Sequence, residues 1–397
     1  MMTADSAAAA DHLFGPLPAA PPAFSTPAVI GAMLDSGTGI SDLIISPGRP
    51  PQVEQHGELS SVEIAALPLL RAPDTARIAR DIIGDNQTAL RALHEQGACD
   101  LSYSLPEKAR FRVNIFRQRG SYAIVMRVIA SRIPTLGELK LPASLIEIAS
   151  LKNGIVLVTG PTGSGKSTTL AAIIDLINET RAEHVLTIED PIEFLHPHKM
   201  ATVHQRELHS DTPTFAAALR AALRQAPKVI LVGEMRDRET IEIALTAAET
   251  GHLVFSTLHT IDASKTVERI VGTFDAGDQR AIRGRLAASF RYFLSQRLVP
   301  KKGGGRVAIL EILKSTLRTR DYMEGGEGEG KTLLDAMRDG EMDGMQYFDG
   351  EIEKLVRAGV ITVSTGLTYA TNAGNLRLLI ADVPDEEGIE DGTLVHY

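Results

Sequence analysis

The sequence predicts an α/β protein in which a small α+β domain precedes a larger domain with a mainly parallel sheet. Two observations predict this fold class. In the first third of the chain, short apolar segments separated by glycine and proline turns are typical of an antiparallel sheet. Farther along, apolar strand segments alternate with helical segments, which is the pattern of a parallel sheet covered by helices. The 397 residues suffice for two or three domains, each with its own core.

The first part of the chain divides into three segments by composition. Residues 1–27 are rich in alanine and proline, which predicts a flexible arm. Residues 28–130 are expected to form the small domain, with a helix at 74–83 and strands at 42–46, 101–105, 111–116 and 122–128. Residues 131–142 contain two prolines and no strong period, so we interpret them as an interdomain linker.

The second domain, residues 143–381, shows the alternation of strands and helices most clearly. Strands are expected at 154–159, 184–189, 229–233, 253–258 and 307–313, and helices at 214–225 and 237–250. Residues 324–330 are rich in glutamate and glycine, which predicts a loop. Residues 382–397 form an acidic tail, which we interpret as solvated.

Composition excludes several classes of protein. The formal charge of −9 argues against a broad nucleic-acid surface. The single cysteine, Cys99, excludes a disulfide framework and a cysteine-built zinc site, and we expect it to be a small buried side chain. No apolar run is long enough to span a bilayer, and no lysine or arginine precedes Arg49 as a signal peptide would require. We therefore expect a cytoplasmic protein that reaches a membrane only through partners.

Residues 155–170, IVLVTGPTGSGKSTTL, carry the most informative motif of the chain. An apolar strand leads into a glycine-rich turn of the G-x-x-x-x-G-K-[ST] type, and an amphipathic helix follows. Such a turn directs backbone N–H groups at phosphate oxygens, while Lys166 reaches the β- and γ-phosphates and Ser167 holds Mg²⁺. The predicted phosphate-binding residues are Gly160, Pro161, Thr162, Gly163, Ser164, Gly165, Lys166, Ser167 and Thr168.

Acidic residues follow two of the predicted strands, where the chemistry of phosphoryl transfer needs a base and a metal ligand. Glu189 ends the strand at 184–189, although exposed acids after a strand are common. Glu234 follows the buried strand VILV and Gly233. Many phosphate-loop proteins have a metal-binding aspartate at the position of Gly233, so Glu234 is the candidate carboxylate here. His252 and His259 flank the next strand and could sense the γ-phosphate, although a lone histidine is usually structural.

Five arginines lie in one predicted hairpin of the first domain: Arg110, Arg112, Arg117, Arg119 and Arg127. They could form a solvated face. In an acidic protein, their concentration also suggests arginine fingers that approach a nucleotide. By strand alternation, Arg110 and Arg112 lie on one face together with Asn114, so a paired role is possible.

In sequence, the chain resembles the PilT-type secretion ATPases, the hexameric retraction motors of type IV pili. The resemblance extends from about residue 41 to about residue 379. It rests on four nucleotide motifs in order, GPTGSGKST, TIEDPIEF, VILVGEMRD and GHLVFSTLHT. The segments SDLIISPGRPP, RFRVNIFRQRG, QREL, ALRAALRQ and GMQYFD are also similar.

The resemblance implies a PAS-like N-terminal domain and a RecA-like ATPase domain that assemble into a hexameric ring and use ATP and Mg²⁺. Lys166 would bind phosphate, and Ser167 and Glu234 would hold the metal. The remaining catalytic roles would fall to Glu189, to the histidines His252 and His259, and to Arg112 and Arg127, with Arg110 next.

The resemblance also implies partners. The ring would act on an inner-membrane platform protein at the cytoplasmic face of the membrane, and a paralogous pilus ATPase is a further candidate partner. Nucleic acid is not expected to bind. Retraction is favoured over assembly because the extra N-terminal domain and cysteine cluster common in assembly motors are missing from this sequence.

Two departures from the family pattern bear on subtype. Residues 226–228 are Ala-Pro-Lys where many relatives have an acidic D-P-D, and residues 287–296, AASFRYFLSQ, are bulkier than the corresponding segment of retraction motors. An accessory or assembly-type secretion ATPase therefore stays an alternative. A RecA-like nucleic-acid motor is a less favoured one, since no stripe of basic and aromatic residues is present.

Overall fold

The computed structural model describes residues 13–14, 24–129 and 132–384. The predicted arm and the acidic tail lie mostly outside the described residues, as does the first residue of the predicted linker. The chain forms two compact units. The first comprises the described part of Met1–Arg132 together with Pro191–Leu195 and Glu207–Pro213, and the second contains the remaining described residues. The predicted domain bounds did not anticipate that two short segments from the middle of the chain belong to the first unit.

The first unit is built on a six-stranded antiparallel sheet of strand order β3-β2-β1-β6-β5-β4. Its strands are β1 (Ile40–Ile45), β2 (Gln52–Gln55), β3 (Glu58–Ser61), β4 (Ala98–Leu105), β5 (Ala109–Gln118) and β6 (Ser121–Ile129). Its helices are α1 (Thr26–Leu34), α2 (Ala72–Ile83) and α3 (Gln87–Gln96). On β5, Phe111, Val113 and Ile115 are fully buried in the core, so the residues between them face the other side of the sheet.

The second unit is built on a seven-stranded sheet of order β13-β12-β7-β11-β10-β8-β9. Its strands are β7 (Gly154–Thr159), β8 (His184–Glu189), β9 (Thr202–Glu207), β10 (Val229–Val232), β11 (Leu253–Leu258), β12 (Phe290–Pro300) and β13 (Arg306–Lys314). Parallel pairing joins five strands in the order β12, β7, β11, β10 and β8. Strand β13 runs antiparallel to β12. The parallel strands β7, β8, β10 and β11 are buried almost throughout, as expected for strands covered by helices on both faces.

A 3₁₀ helix at Ala143–Ser150 and ten α-helices accompany this sheet in the described part of the chain. The helices are α4 (Lys166–Thr180), α5 (Phe215–Ala222), α6 (Arg238–Glu249), α7 (Ala263–Val271), α8 (Gln279–Ser289), α9 (Leu317–Gly325), α10 (Leu333–Asp339), α11 (Phe348–Arg357), α12 (Val363–Tyr369) and α13 (Ala373–Leu379). No helix among the described residues combines the length and the apolar character that crossing a bilayer requires.

The structure confirms the predicted fold class and adds elements that the sequence did not predict. The bulky segment at residues 287–296 ends α8 and begins β12, where Phe290, Phe293 and Leu294 are fully buried. Its aromatic side chains therefore fill the core beside β7. Strands β2, β3 and β9, of which β3 and β9 lie at sheet edges, were also missed, because they are short and largely polar. As expected, the side chain of Cys99 is buried, and burial raises the pKa of its thiol to about 12.

Candidate active site

The phosphate-loop motif lies between β7 and α4. Gly160, Gly163 and Gly165 take φ values of +141°, +79° and +88°, a range that glycine adopts without strain. A side chain at Gly163 would meet no atom of the described residues within 4 Å, so the apex of the loop is open. The Nζ of Lys166 donates hydrogen bonds to the carbonyl oxygens of Gly160 (2.9 Å) and Pro161 (3.0 Å), so the lysine lies along the loop.

The loop has the features that a phosphate group requires. Helix α4 begins at Lys166, and no side chain of the described residues caps its N-terminus. Its first N–H groups are therefore available to an anion, and the helix dipole favours negative charge there. The Oγ of Ser164 is buried and has no hydrogen-bond partner in the described part of the chain. A buried hydroxyl without a partner costs free energy unless a ligand bonds to it, so these residues fit a nucleotide phosphate.

Glu234 follows β10 and lies in a cavity of about 330 Å³ lined by Glu234, Arg236, Thr257, Leu258, His259, Thr260 and Arg269. The Oε2 of Glu234 forms an ion pair with the Nε of Arg236 at 2.6 Å and lies 3.8 Å from the Nε2 of His259. The hydroxyl of Thr257 donates to the carbonyl oxygen of Gly233 at 2.6 Å, which ties the end of β10 to β11. The structure thus brings together Glu234 and His259 at one end of β10 and β11.

Gly233 stands where a larger residue would fit poorly. A Cβ at this position would lie 3.3 Å from the carbonyl oxygen of Ile188 and 3.4 Å from the Cα of Glu189. The two strand ends therefore approach closely because position 233 has no side chain. This packing gives a physical reason for a glycine there and leaves Glu234 as the carboxylate at the end of β10.

The charge state of His259 follows from its surroundings. Burial lowers the pKa of His259 below its ordinary value near 6.5, and the positive charges of Lys166 and Arg236 lower it further, against the opposing effect of Glu234. The imidazole is therefore neutral at neutral pH. The influence of Lys166 on His259 also means that the phosphate loop and the end of β11 share one electrostatic environment.

Oxygen ligands for a magnesium ion are present at this edge of the sheet. Ser167, in the first turn of α4, carries a hydroxyl, and Glu234 carries a carboxylate. No group of three or more histidine, cysteine, aspartate or glutamate side chains among the described residues could hold a metal ion alone. A hydroxyl and a carboxylate are ligands that suit Mg²⁺, which is usually bound by one or two protein oxygens together with phosphate and water.

Glu189 ends β8 and is held by two neutral donors. The hydroxyl of Thr187 donates to its Oε1 at 2.6 Å, and the Nε2 of Gln205 donates to the same oxygen at 3.1 Å. The Oε1 of Gln205 in turn accepts from the backbone N–H of His196 at 2.8 Å. The carboxylate is therefore oriented by a fixed amide. The sequence did not assign this role to Gln205, although its QREL segment was already part of the family resemblance.

His252 is not part of this cluster. It precedes β11, whereas His259 follows it, and a strand of six residues spans about 20 Å. The Nδ1 of His252 lies 2.9 Å from the carbonyl oxygen of Ala247, at the end of the preceding helix. The prediction that both histidines approach the γ-phosphate is therefore corrected for His252, because residues flanking one strand lie at opposite edges of the sheet. Lys228, which precedes β10, lies at the same far edge as His252.

The arginines of the first unit differ in their partners. Arg112 on β5 lies directly opposite Arg127 on β6, and Arg127 lies opposite Asp42 on β1. The Nε of Arg127 donates to Asp42 at 2.9 Å, whereas Arg112 is exposed and makes no hydrogen bond or ion pair with any described residue. Arg112 is thus the predicted arginine whose guanidinium is unoccupied in the described part of the chain.

Arg110 has a structural partner that the sequence did not predict. Its guanidinium donates to Glu207 at 2.9 Å and to the hydroxyl of Ser104 at 3.1 Å. Only 4% of the Glu207 side chain is exposed, and its Oε2 also accepts from the N–H of Ile192 at 3.0 Å. Arg110 therefore neutralises a buried carboxylate, in contrast to Arg112 on the same face of β5.

Comparison with known proteins shows the family to which the chain belongs. The family model described as type II/IV secretion system protein matches residues 86–332. The type IV pilus retractation ATPase PilT of Pseudomonas aeruginosa is 45% identical over 324 residues, which cover 82% of this chain and 92% of that protein. The type IV pilus ATPase PilU of the same organism is 39% identical over 345 residues, which cover 86% of this chain and 88% of that protein.

A solved structure is also similar over most of the chain. The crystal structure of the pilus retraction motor PilT with bound ADP has 41% sequence identity and a TM-score of 0.77, and the match covers 88% of this chain and 98% of that one. The family model, the two relatives and the solved structure agree. The chain therefore belongs to the type II/IV secretion system protein family and is homologous to the PilT-type pilus ATPases.

Proposed function

We propose that this chain is an ATP-hydrolysing motor that drives type IV pilus retraction, and through it twitching motility. The observation that carries the proposal is the grouping of Lys166, Glu234 and His259 at one edge of the second sheet, beside an uncapped helix N-terminus. The homology to a pilus retraction ATPase supports the choice of a motor over other phosphate-loop enzymes.

The residues have distinct roles in the proposed reaction. The N–H groups of the phosphate loop and the Nζ of Lys166 bind the phosphates and offset their negative charge. Glu189, oriented by Gln205 and Thr187, positions the attacking water and accepts its proton. His259, neutral at pH 7, donates a hydrogen bond near the γ-phosphate without competing with Lys166 as a second cation.

Magnesium would be held by Ser167 and Glu234, and it would supply charge stabilisation at the transferred phosphoryl group. Arg236 now forms an ion pair with Glu234, so it would have to release that carboxylate when the metal binds. Arg112 is proposed as the arginine that neutralises charge in the transition state, because its guanidinium has no competing partner among the described residues.

The work of the motor requires an assembly. We propose a hexameric ring that acts on an inner-membrane platform protein from the cytoplasmic face, so that contact with the membrane is indirect. A paralogous pilus ATPase is a candidate second partner.

The first experiment is to measure ATPase activity and oligomeric mass of the purified protein with and without Mg²⁺. We expect hydrolysis that requires Mg²⁺ and a mass of six chains. In the organism that carries the gene, deletion is expected to leave cells hyperpiliated and non-motile. Bald cells would contradict retraction and support an assembly role.

An accessory role is the second candidate, because the similarity to PilU is also extensive. An accessory subunit would depend on a partner motor for force even where it binds ATP. Expression of this chain in a strain that keeps its pilus assembly ATPase but lacks every other retraction ATPase distinguishes the two: retraction without a partner motor supports an independent motor. An ATPase rate that single-stranded DNA or RNA does not change would exclude the less favoured nucleic-acid motor.

A further inference from the structure

Strand β12 passes beside the phosphate loop and carries a buried polar side chain there. Gln296 on β12 is 2% exposed and lies 130 positions from Lys166 in the chain. We propose that Gln296 is a positioning residue that holds the phosphate loop in its nucleotide-binding conformation. This inference rests on the proposed ATPase function.

Both ends of the Gln296 amide are bonded to the nucleotide motif. Its Nε2 donates to the carbonyl oxygen of Ser164 at 2.7 Å, and its Oε1 accepts from the hydroxyl of Thr169 at 2.7 Å. One planar amide thus joins the phosphate loop to the first turn of α4. Because both bonds are buried, loss of either leaves a polar group that water cannot reach.

The backbone of β12 at this position also shapes the loop. A Cβ at Gly160 would collide with the carbonyl oxygen of Gln296, and a Cβ at Gly165 would lie 2.8 Å from the Nε2 of Gln296. Both motif glycines therefore border Gln296, one at each end of the loop. Absence of a side chain at Gly160 and Gly165 lets the loop approach β12 closely enough for the amide bond to Ser164 to form.

The orientation of the Ser164 carbonyl group also sets the orientation of the backbone N–H of Gly165. In a trans peptide, the carbonyl oxygen of Ser164 and the N–H of Gly165 lie in the peptide plane and point in opposite directions. Since Gln296 holds the carbonyl toward β12, the N–H of Gly165 points away from β12. Phosphate-binding loops depend on N–H groups that converge on the ligand, so this bond orients one of those donors.

Substitution of Gln296 by glutamate tests the orientation because it keeps size and changes only the donor. The carboxyl group introduced by Gln296→Glu still accepts from Thr169, but when ionised it repels the carbonyl oxygen of Ser164. Burial raises the pKa of such a carboxyl, and once protonated its O–H can donate to that carbonyl again. The variant should therefore recover nucleotide affinity as the pH falls, which a role in packing alone would not produce.

The experiment measures the Kd of the full chain for a fluorescent ADP analogue with Mg²⁺ at pH 8 and pH 6. We expect Gln296→Glu to raise Kd at least tenfold relative to the unsubstituted protein at pH 8, and less than threefold at pH 6. Gln296→Leu, which has no donor at either pH, should raise Kd by similar factors at both. The matched control is Ser295→Ala, its buried neighbour on the opposite face of β12, for which Kd should stay within twofold.

Two results separate the possible failures. If the unsubstituted protein binds nucleotide and Gln296→Glu binds it equally well at pH 8, the inference is overturned while the proposed function stands. If the unsubstituted protein binds no nucleotide, the proposed function itself fails and the inference fails with it. Should Gln296→Glu not fold at pH 8, Thr169→Val replaces it, because it removes the hydroxyl bonded to Gln296; an unchanged Kd there also overturns the inference.

Discussion

Two arginines on one face of β5 should respond in opposite ways to the same substitution. Arg110 is bonded to a carboxylate that is 4% exposed, whereas Arg112 is exposed and has no bonded partner among the described residues. We expect Arg110→Ala to lower the stability of the first unit and Arg112→Ala to leave it unchanged. The ATPase rate, in contrast, should fall for Arg112→Ala, since Arg112 is the arginine proposed to neutralise charge in the transition state.

The magnitude follows from the environment of Glu207. Removing one partner of a buried ion pair costs about 3–5 kcal/mol, because the other charge is left uncompensated. The N–H of Ile192 still donates to Glu207, so we place Arg110→Ala at the lower end, about 3 kcal/mol. For a unit of this size, that loss lowers the melting temperature by about 10 °C. Arg112→Ala, at an exposed position, should change stability by less than about 0.5 kcal/mol.

The assay is scanning calorimetry of the nucleotide-free protein at 150 mM salt, on the order of physiological ionic strength. Glu207→Gln provides the matched control. The substitution removes the buried negative charge, and the amide oxygen introduced there can still accept from Arg110 and from the N–H of Ile192. Its melting temperature should fall less than that of Arg110→Ala. Melting temperatures of Arg110→Ala and Arg112→Ala within 2 °C of each other, about half a kcal/mol, would refute the ion-pair reasoning. For kcat, Arg112→Ala should show at least about a tenfold loss.

Three further predictions concern the second unit. Glu234→Gln should keep nucleotide affinity but lower kcat by about tenfold or more, and an unchanged kcat would contradict a role at the metal. Lys166→Ala should weaken nucleotide binding itself, so equal affinity by calorimetry would count against the phosphate-loop assignment. Burial raises the pKa of Glu311 to about 7 from an ordinary value near 4.5. As the pH rises, the carboxyl group therefore loses its proton at a lower pH in the unfolded chain than in the folded protein. Stability should therefore decline by about 3 kcal/mol between pH 4.5 and pH 7, and urea unfolding of Glu311→Gln should lack that part of the decline.

Local motifs were predictable because their chemistry depends on adjacent residues. The turn from Gly160 to Ser167 is a contiguous pattern with a single backbone solution, so both its position and its helix follow from sequence. Glu234 and Glu189 were predictable for a similar reason, since each ends an apolar strand and parallel strands place their carboxyl ends at one edge.

Contacts between distant segments were not predictable in the same way. Gln296 meets Ser164 across 132 positions, and the only sequence signal was a polar pair at the centre of an apolar segment. Arg110 meets Glu207 across 97 positions, and nothing in either segment indicates the other. His252 was misplaced for a different reason: two residues close in sequence were assumed to be close in space, although the intervening strand separates them.

The burial pattern of β5 has a consequence for how the arginine face can change. Phe111, Val113 and Ile115 are fully buried, and strand alternation then assigns Arg112 to the opposite face. A deletion of one residue in this strand would exchange the two faces, sending charge into the core and apolar side chains to the surface. A one-residue deletion that moves the arginine along β5 therefore also disrupts folding. A folded variant with the guanidinium displaced by one position is not expected. The position of Arg112 is therefore constrained by buried residues whose side chains lie on the other face of the sheet.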